Sequence, residues 1–111
     1  MSLRSFDVKL EGKSQLHEPI VKLQGIQLNI WSVDGGGTWE NKDVELDVGN
    51  KLDVFMSCKA VSGTGWKFTI QDNGNDKEIY NASGETGEPL GGDPTKKEVP
   101  NYSQRETAVN C

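Results

Sequence analysis

The sequence predicts an all-β fold, an antiparallel β-sandwich of about seven or eight strands, and three observations predict it. Apolar residues recur with a period of two along most of the chain. Clusters of Gly, Asn, Asp and Ser interrupt that pattern at roughly 8–12-residue intervals, the spacing of sandwich and barrel turns. No window of about 11 residues or more carries a helical 3.6 period.

The strands can be taken in order. In residues 5–12, Phe6, Val8 and Leu10 alternate with Asp7, Lys9 and Glu11, the pattern of a strand with one face buried. In residues 18–28, Val21 and Leu23 share a face, but the next step of two lands on Gly25, and the apolar series resumes at Ile26, Leu28 and Ile30. A β-bulge at Gly25 restores the inward face, since one inserted residue shifts the phase by one; a tight turn there is the alternative. Val44, Leu46 and Val48 form the next inward set, followed by Leu52, Val54, Met56 and Cys58, and then by Trp66, Phe68 and Ile70. Residues 77–83 and 99–109 supply shorter strands. These inward residues form one core, Cys58 being read as a buried thiol. A Cys58–Cys111 disulfide is the alternative, should the C-terminal strand pair near Cys58 in an oxidising compartment.

At 111 residues the chain is expected to be a single domain, 1–111. Alternation does not separate an immunoglobulin-like from a jelly-roll topology. Residues 83–101, rich in Gly, Pro and charge, are read as a long loop. The 13 glycines fit the many turns.

Charge narrows the function classes. Twelve basic against 17 acidic side chains give a net charge of −5, which disfavours a nucleic-acid partner or an anionic membrane as ligand. No segment has the roughly 20 apolar residues of a membrane helix, and the first ten residues lack the apolar core of a signal peptide. The compartment is left open.

The stretch WSVDGGGTWEN, residues 31–41, invites a phosphate-loop reading. Such a loop opens a helix whose N–H groups point at the anion. Here the glycines run into an alternating strand, so they read as a hairpin tip where positive φ is needed. Calcium is the next candidate: Asp72, Asn73 and Asp76 supply oxygens of the type it takes. Their spacing is not that of an EF-hand, and Asp, Asn and Gly are equally what a turn requires. One His and two Cys give little basis for a zinc site. The sole His, His17, lies in a polar stretch with no nucleophile pattern beside it, and no cofactor is expected. The chain is therefore not read as an enzyme, although 17 carboxylates leave a glycosidase-like pair open.

The aromatic residues carry the functional expectation. Trp66 is in phase with the core, whereas Trp31 follows Gln27 and Asn29 on the polar phase, and Trp39 sits at the tip. A solvent-side indole beside amides is the chemistry of sugar recognition: the ring stacks on C–H surfaces while amides bond hydroxyls. The expected site comprises Trp31, Trp39, Asn29, Gln27 and Asp34 on a non-catalytic, carbohydrate-binding module. The competing reading has Trp31 packed beneath a loop, and an immunoglobulin-like structural or adhesion domain that binds protein through an edge strand or loop face. Asn81 and Asn101 each open an N-x-Ser triplet, which places both at the surface.

Overall fold

The structure, a computed structural model, describes residues 2–33 and 35–110. Its strands are β1 (Ser2–Gly12), β2 (His17–Leu23), β3 (Ile26–Gln27), β4 (Trp31–Ser32), β5 (Thr38–Val48), β6 (Lys51–Lys59), β7 (Gly65–Asp72), β8 (Lys77–Glu85) and β9 (Tyr102–Asn110). Two antiparallel sheets, ordered β4-β5-β1-β7-β8 and β3-β2-β6-β9, form a β-sandwich. Seven strands are long; β3 and β4 are two-residue pieces at the same side of the sandwich. No helix among the described residues is long and apolar enough to cross a membrane.

The core follows the alternation. Phe6, Val8 and Leu10 of β1, Val44, Leu46 and Val48 of β5, and Trp66, Phe68 and Ile70 of β7 face Val21 and Leu23 of β2 and Leu52, Val54, Met56 and Cys58 of β6. Leu16 joins them, although as an isolated apolar residue in a polar stretch it has no period to betray it. Tyr80 meets Phe68 edge to face at 5.9 Å.

Residues 26–32 depart from the expectation. The segment is not one strand: Ile26 and Gln27 pair with β2, residues 28–30 cross between the sheets, and Trp31 and Ser32 pair with β5. Gly25 is not a bulge but part of a tight turn. Gln24 and Gly25 have φ of 54° and 75°, the primed geometry whose twist matches that of the flanking strands. Leu23 therefore pairs with Ile26, and Ile26, at the outer edge of its sheet, is 55% exposed. Leu28 and Ile30 only flank the core.

The bulge lies elsewhere. Between Phe6 and Val8 the β1–β5 register slips, so that Lys42 and Asp43 together oppose Asp7. Asp43 has φ of 56°, and the Asp7 carboxylate accepts its N–H at 2.9 Å and the Asn73 amide at 2.8 Å. From there towards Thr38 the inward phase of β5 moves from even to odd positions, which turns Trp39 towards the core. The expected loop at 83–101 is also shorter: β8 continues to Glu85, and a 3-10 turn, Leu90–Gly92, and a Pro89–Glu98 bridge order the rest.

Asn110 pairs with Lys51, and Cys58 with Ser103. From position 58 to position 51 is on the order of 23 Å at the usual strand rise. Cys58 is a free thiol. Cys111, the other half of the disulfide alternative, lies outside the described residues.

Two measurements follow from this packing. Phe68→Ala should destabilise the domain by about 3–5 kcal/mol, and Lys67→Ala and Thr69→Ala, on the outer face, by under about 1 kcal/mol each, read by urea titration. Equal losses at all three positions would contradict the inward–outward assignment. Burial, reinforced by the negative charge of Glu88 and only partly opposed by Arg105, pushes the Cys58 thiol up to about 12. In a Cys111→Ser variant, Ellman's reagent at pH 8 should find no reactive thiol until denaturant is added.

Candidate functional site

The glycine tip joins β4 to β5, with the Val33 N–H donating to the Thr38 carbonyl at 3.0 Å. The tip is also tied to the chain entering β2. The Gly36 carbonyl accepts the Leu16 N–H at 2.8 Å and the Trp39 indole N–H at 2.9 Å. Gly36 has φ of 117°, a backbone geometry that favours glycine, and a Cβ there would meet the exposed Gln15 side chain at 2.7 Å.

Register then separates the two tryptophans. Trp39 pairs with Leu10, a core residue, and is half-buried against the core. Trp31 pairs with Glu40, which pairs with Lys9, both on the outer face. Trp31 is 48% exposed, and the two rings lie on opposite faces of the hairpin. Gln27 belongs to the other sheet, beside Lys22. Asn29 is exposed in the crossover, and its carbonyl accepts the Asn41 amide at 2.7 Å. Asp34 lies outside the described residues. Of the five expected residues, the structure brings no two of the placed ones onto one surface by strand register.

What Trp31 does share is a row. Trp31, Glu40, Lys9, Thr69 and Asn81 are successive cross-strand neighbours over β4, β5, β1, β7 and β8. Beside this row, Asp7, Lys9, Glu40 and Lys42, with Thr69, Gln71 and Glu78, line a shallow depression of about 220 Å³. The row offers donors and acceptors in alternation, next to an exposed indole at its end.

Two of the three calcium candidates, Asp72 and Asn73, are held by other partners. The buried Asp72 carboxylate pairs with Arg4, and its other oxygen accepts the Gly74 N–H at 2.9 Å. Asn73 donates to Ser5 and Asp7, and Asp76 is an exposed turn residue with φ of 52°. Among the described residues no three His, Cys, Asp or Glu side chains gather as a metal site would require. His17 is exposed at the start of β2.

A second outer face was missed by sequence reasoning. On the four-stranded sheet, Phe55 pairs with Lys22 and Glu106, and Tyr102 with Lys59. The Lys22 ammonium lies 5.4 Å from the Phe55 ring centre, a cation–π distance. Lys22, Gly25, Asp53, Phe55 and Glu106 line an open groove of about 910 Å³. The signal was present: Phe55 is off-phase between Val54 and Met56, as Trp31 is between Ile30 and Ser32.

Compared with protein-family models, curated proteins and solved structures, the chain matches none of them.

A partly buried ion pair closes the side opposite Trp31. Glu88 accepts two hydrogen bonds from the Arg105 guanidinium, at 2.7 and 3.1 Å, and one from the Ser103 hydroxyl. Arg105 also lies 4.9 Å over the Trp66 ring. Partial burial pushes the Glu88 carboxyl up, but the hydrogen bonds from Arg105 and Ser103 and the positive charge of Arg105 outweigh it and hold the carboxyl below its usual value. Glu88 therefore binds its proton less readily in the folded chain than in the unfolded one. It stabilises the fold above the ordinary carboxylate range, and that contribution is lost as pH falls through the lower folded value. Urea titrations of wild type and Glu88→Gln should show the variant less stable at pH 7. The gap between the two should narrow as the pH is lowered. A gap independent of pH would show that the carboxylate charge is not what matters.

Proposed function

We propose that this domain is a non-catalytic binding module that holds a short oligosaccharide across the outer face of the five-stranded sheet, with Trp31 stacking at one end. The observation that carries the reading is the exposed Trp31 ring in cross-strand register with Glu40, Lys9, Thr69 and Asn81. A ring that is half-exposed on a polar face contributes little to the core, and its apolar surface suits the C–H face of a pyranose. Four strand spacings extend for roughly 19 Å, long enough for a short oligosaccharide lying across the strands. The mixed charge of the row favours a neutral polyol over a charged ligand, since either sign meets one like charge. Trp39 would then be a support, fixing the tip through its bond to Gly36, and Gln27 and Asn29 would lie away from the sugar.

The reading is tested by a glycan array followed by tryptophan fluorescence titration with any sugar that binds. Saccharide should shield Trp31 from acrylamide. Trp31→Ala should lose that protection and the binding, with a melting temperature close to wild type. If no glycan binds and Trp31→Ala unfolds the domain, the ring belongs to a packing layer. The immunoglobulin-like structural or interaction reading then takes its place.

A further inference from the structure

The outer side of β5 is open. β4 pairs with β5 only at Trp39 and Glu40, and the Asn41 side chain reaches the crossover at Asn29. From Asp43 to Val48 no strand among the described residues flanks β5 on the side away from β1. The sheet therefore ends on a six-residue strand edge, long enough to template another strand.

Both faces of this edge have a defined chemistry. On the outer face Glu45 and Asp47 are exposed, and so is Asp43 at the bulge where the edge begins, whose carboxylate accepts the Asn73 amide at 3.4 Å. On the inner face stand Val44 and Leu46, each 9% exposed, whereas the other buried apolar side chains, Val48 among them, are at 3% or less. Among the buried apolar side chains these two are the most exposed. A strand laid beside the edge would finish that burial with apolar side chains on one face, and would meet three carboxylates with the other.

We propose that the Asp43–Val48 edge of β5 is a strand-addition site for a basic partner protein, which docks an extended segment of alternating apolar and Lys/Arg residues. Backbone pairing supplies the geometry, and the two faces supply selectivity. A second copy of this chain fits poorly. Antiparallel pairing of β5 with itself would set Asp43, Glu45 and Asp47 against the same carboxylates, and like charges directly opposed are destabilising. The net charge of −5 on each copy adds to that repulsion.

The test uses the full chain and a short capped peptide of alternating lysine and valine, with an alternating glutamate–valine peptide as control. Amide hydrogen exchange should slow at those amides of residues 44–48 that point away from β1, with the lysine peptide and not with the control. Affinity should fall as salt rises, because exposed charges are screened. Glu45→Lys combined with Asp47→Lys, both outward and exposed, should weaken the lysine peptide by roughly tenfold and admit the glutamate peptide instead. Three outcomes overturn the proposal. Protection elsewhere on the sandwich moves the site, and protection with neither peptide makes the carboxylates a guard against pairing. A concentration-dependent dimer that itself protects the same amides of residues 44–48 makes the occupant a second copy. Trp31→Ala leaves this edge intact, so loss of sugar binding and loss of strand addition are separable.

Discussion

The Arg105–Glu88 pair is the contact on which closure of this sandwich depends. Its two side chains are 16% and 15% exposed and come from different parts of the fold: Arg105 from β9 in one sheet, Glu88 from the segment that leaves β8 in the other. Two long strands, β8 and β9, meet on this side, and among the described residues no further strand flanks either of them. A purely apolar seam would leave the ends of the core open to water. A bidentate guanidinium–carboxylate pair, with Ser103 on the carboxylate and Trp66 beneath the cation, caps that seam with satisfied polar groups. Removing one partner would leave the other partly desolvated and alone, which is costlier than never having placed the pair. The same solution recurs at the other end of β7. There Arg4 pairs with the buried Asp72 and lies 5.8 Å over Phe6. One strand thus carries Trp66 under an arginine at its start and Asp72 bound to another at its end.

With the sheets closed on that side, the outer face around Trp31 is decided by Asp7. Its carboxylate holds the Asp43 N–H and the Asn73 amide, which fixes two residues of β5 against one of β1. Without the bulge, the phase set by Val44, Leu46 and Val48 would carry through Lys42, Glu40 and Thr38, and Trp39 would face solvent. With it, Trp39 turns inward to brace the glycine tip, and Glu40 turns outward beside Trp31. The bulge therefore converts a hairpin with two candidate rings into one with a single exposed ring and a supporting one.

Much of this was legible from alternation, because in a sandwich one face of every strand must be buried. Phe6 to Leu10, Val44 to Val48, Leu52 to Cys58 and Trp66 to Ile70 fall on the predicted faces for that reason. The failures have physical causes. Ile26, Leu28 and Ile30 keep a period of two while the chain changes sheets; Ile26 is exposed at the sheet edge and only Leu28 and Ile30 of the crossover lean on the core, so spacing does not distinguish a strand from a crossover. The bulge at Lys42 and Asp43 is imposed by Asp7 and Asn73, remote in sequence. The arginines left a faint signal: Arg4 continues the inward phase of Phe6, and Asp72 that of Ile70, so opposite charges stand in apolar phase at strand ends. Trp31 was placed outward correctly, but its assigned neighbours Gln27 and Asn29 were inherited from a strand that does not exist.

The asymmetry between the two sides has one origin. On one side, β8 and β9 are long and the seam must be capped. On the other, crossing between sheets takes residues 28–30, which would otherwise extend β3 or β4, so each of those strands keeps two residues. Being both terminal in its sheet and short, β4 has two consequences. As the edge strand it leaves Trp31 at the end of a cross-strand row rather than in its middle, where neighbours on both sides would cover the ring. It also leaves β5 without a partner beyond Glu40, and there the chain places acidic residues on the outer face and incompletely covered Val44 and Leu46 on the inner one. The bulge separates these surfaces along a single strand, with the row through Glu40 before it and the open edge after it. A bulge increases local twist, and this one stands between the row and the edge. The sugar proposed for the row and the strand proposed for the edge would thus use different residues of β5.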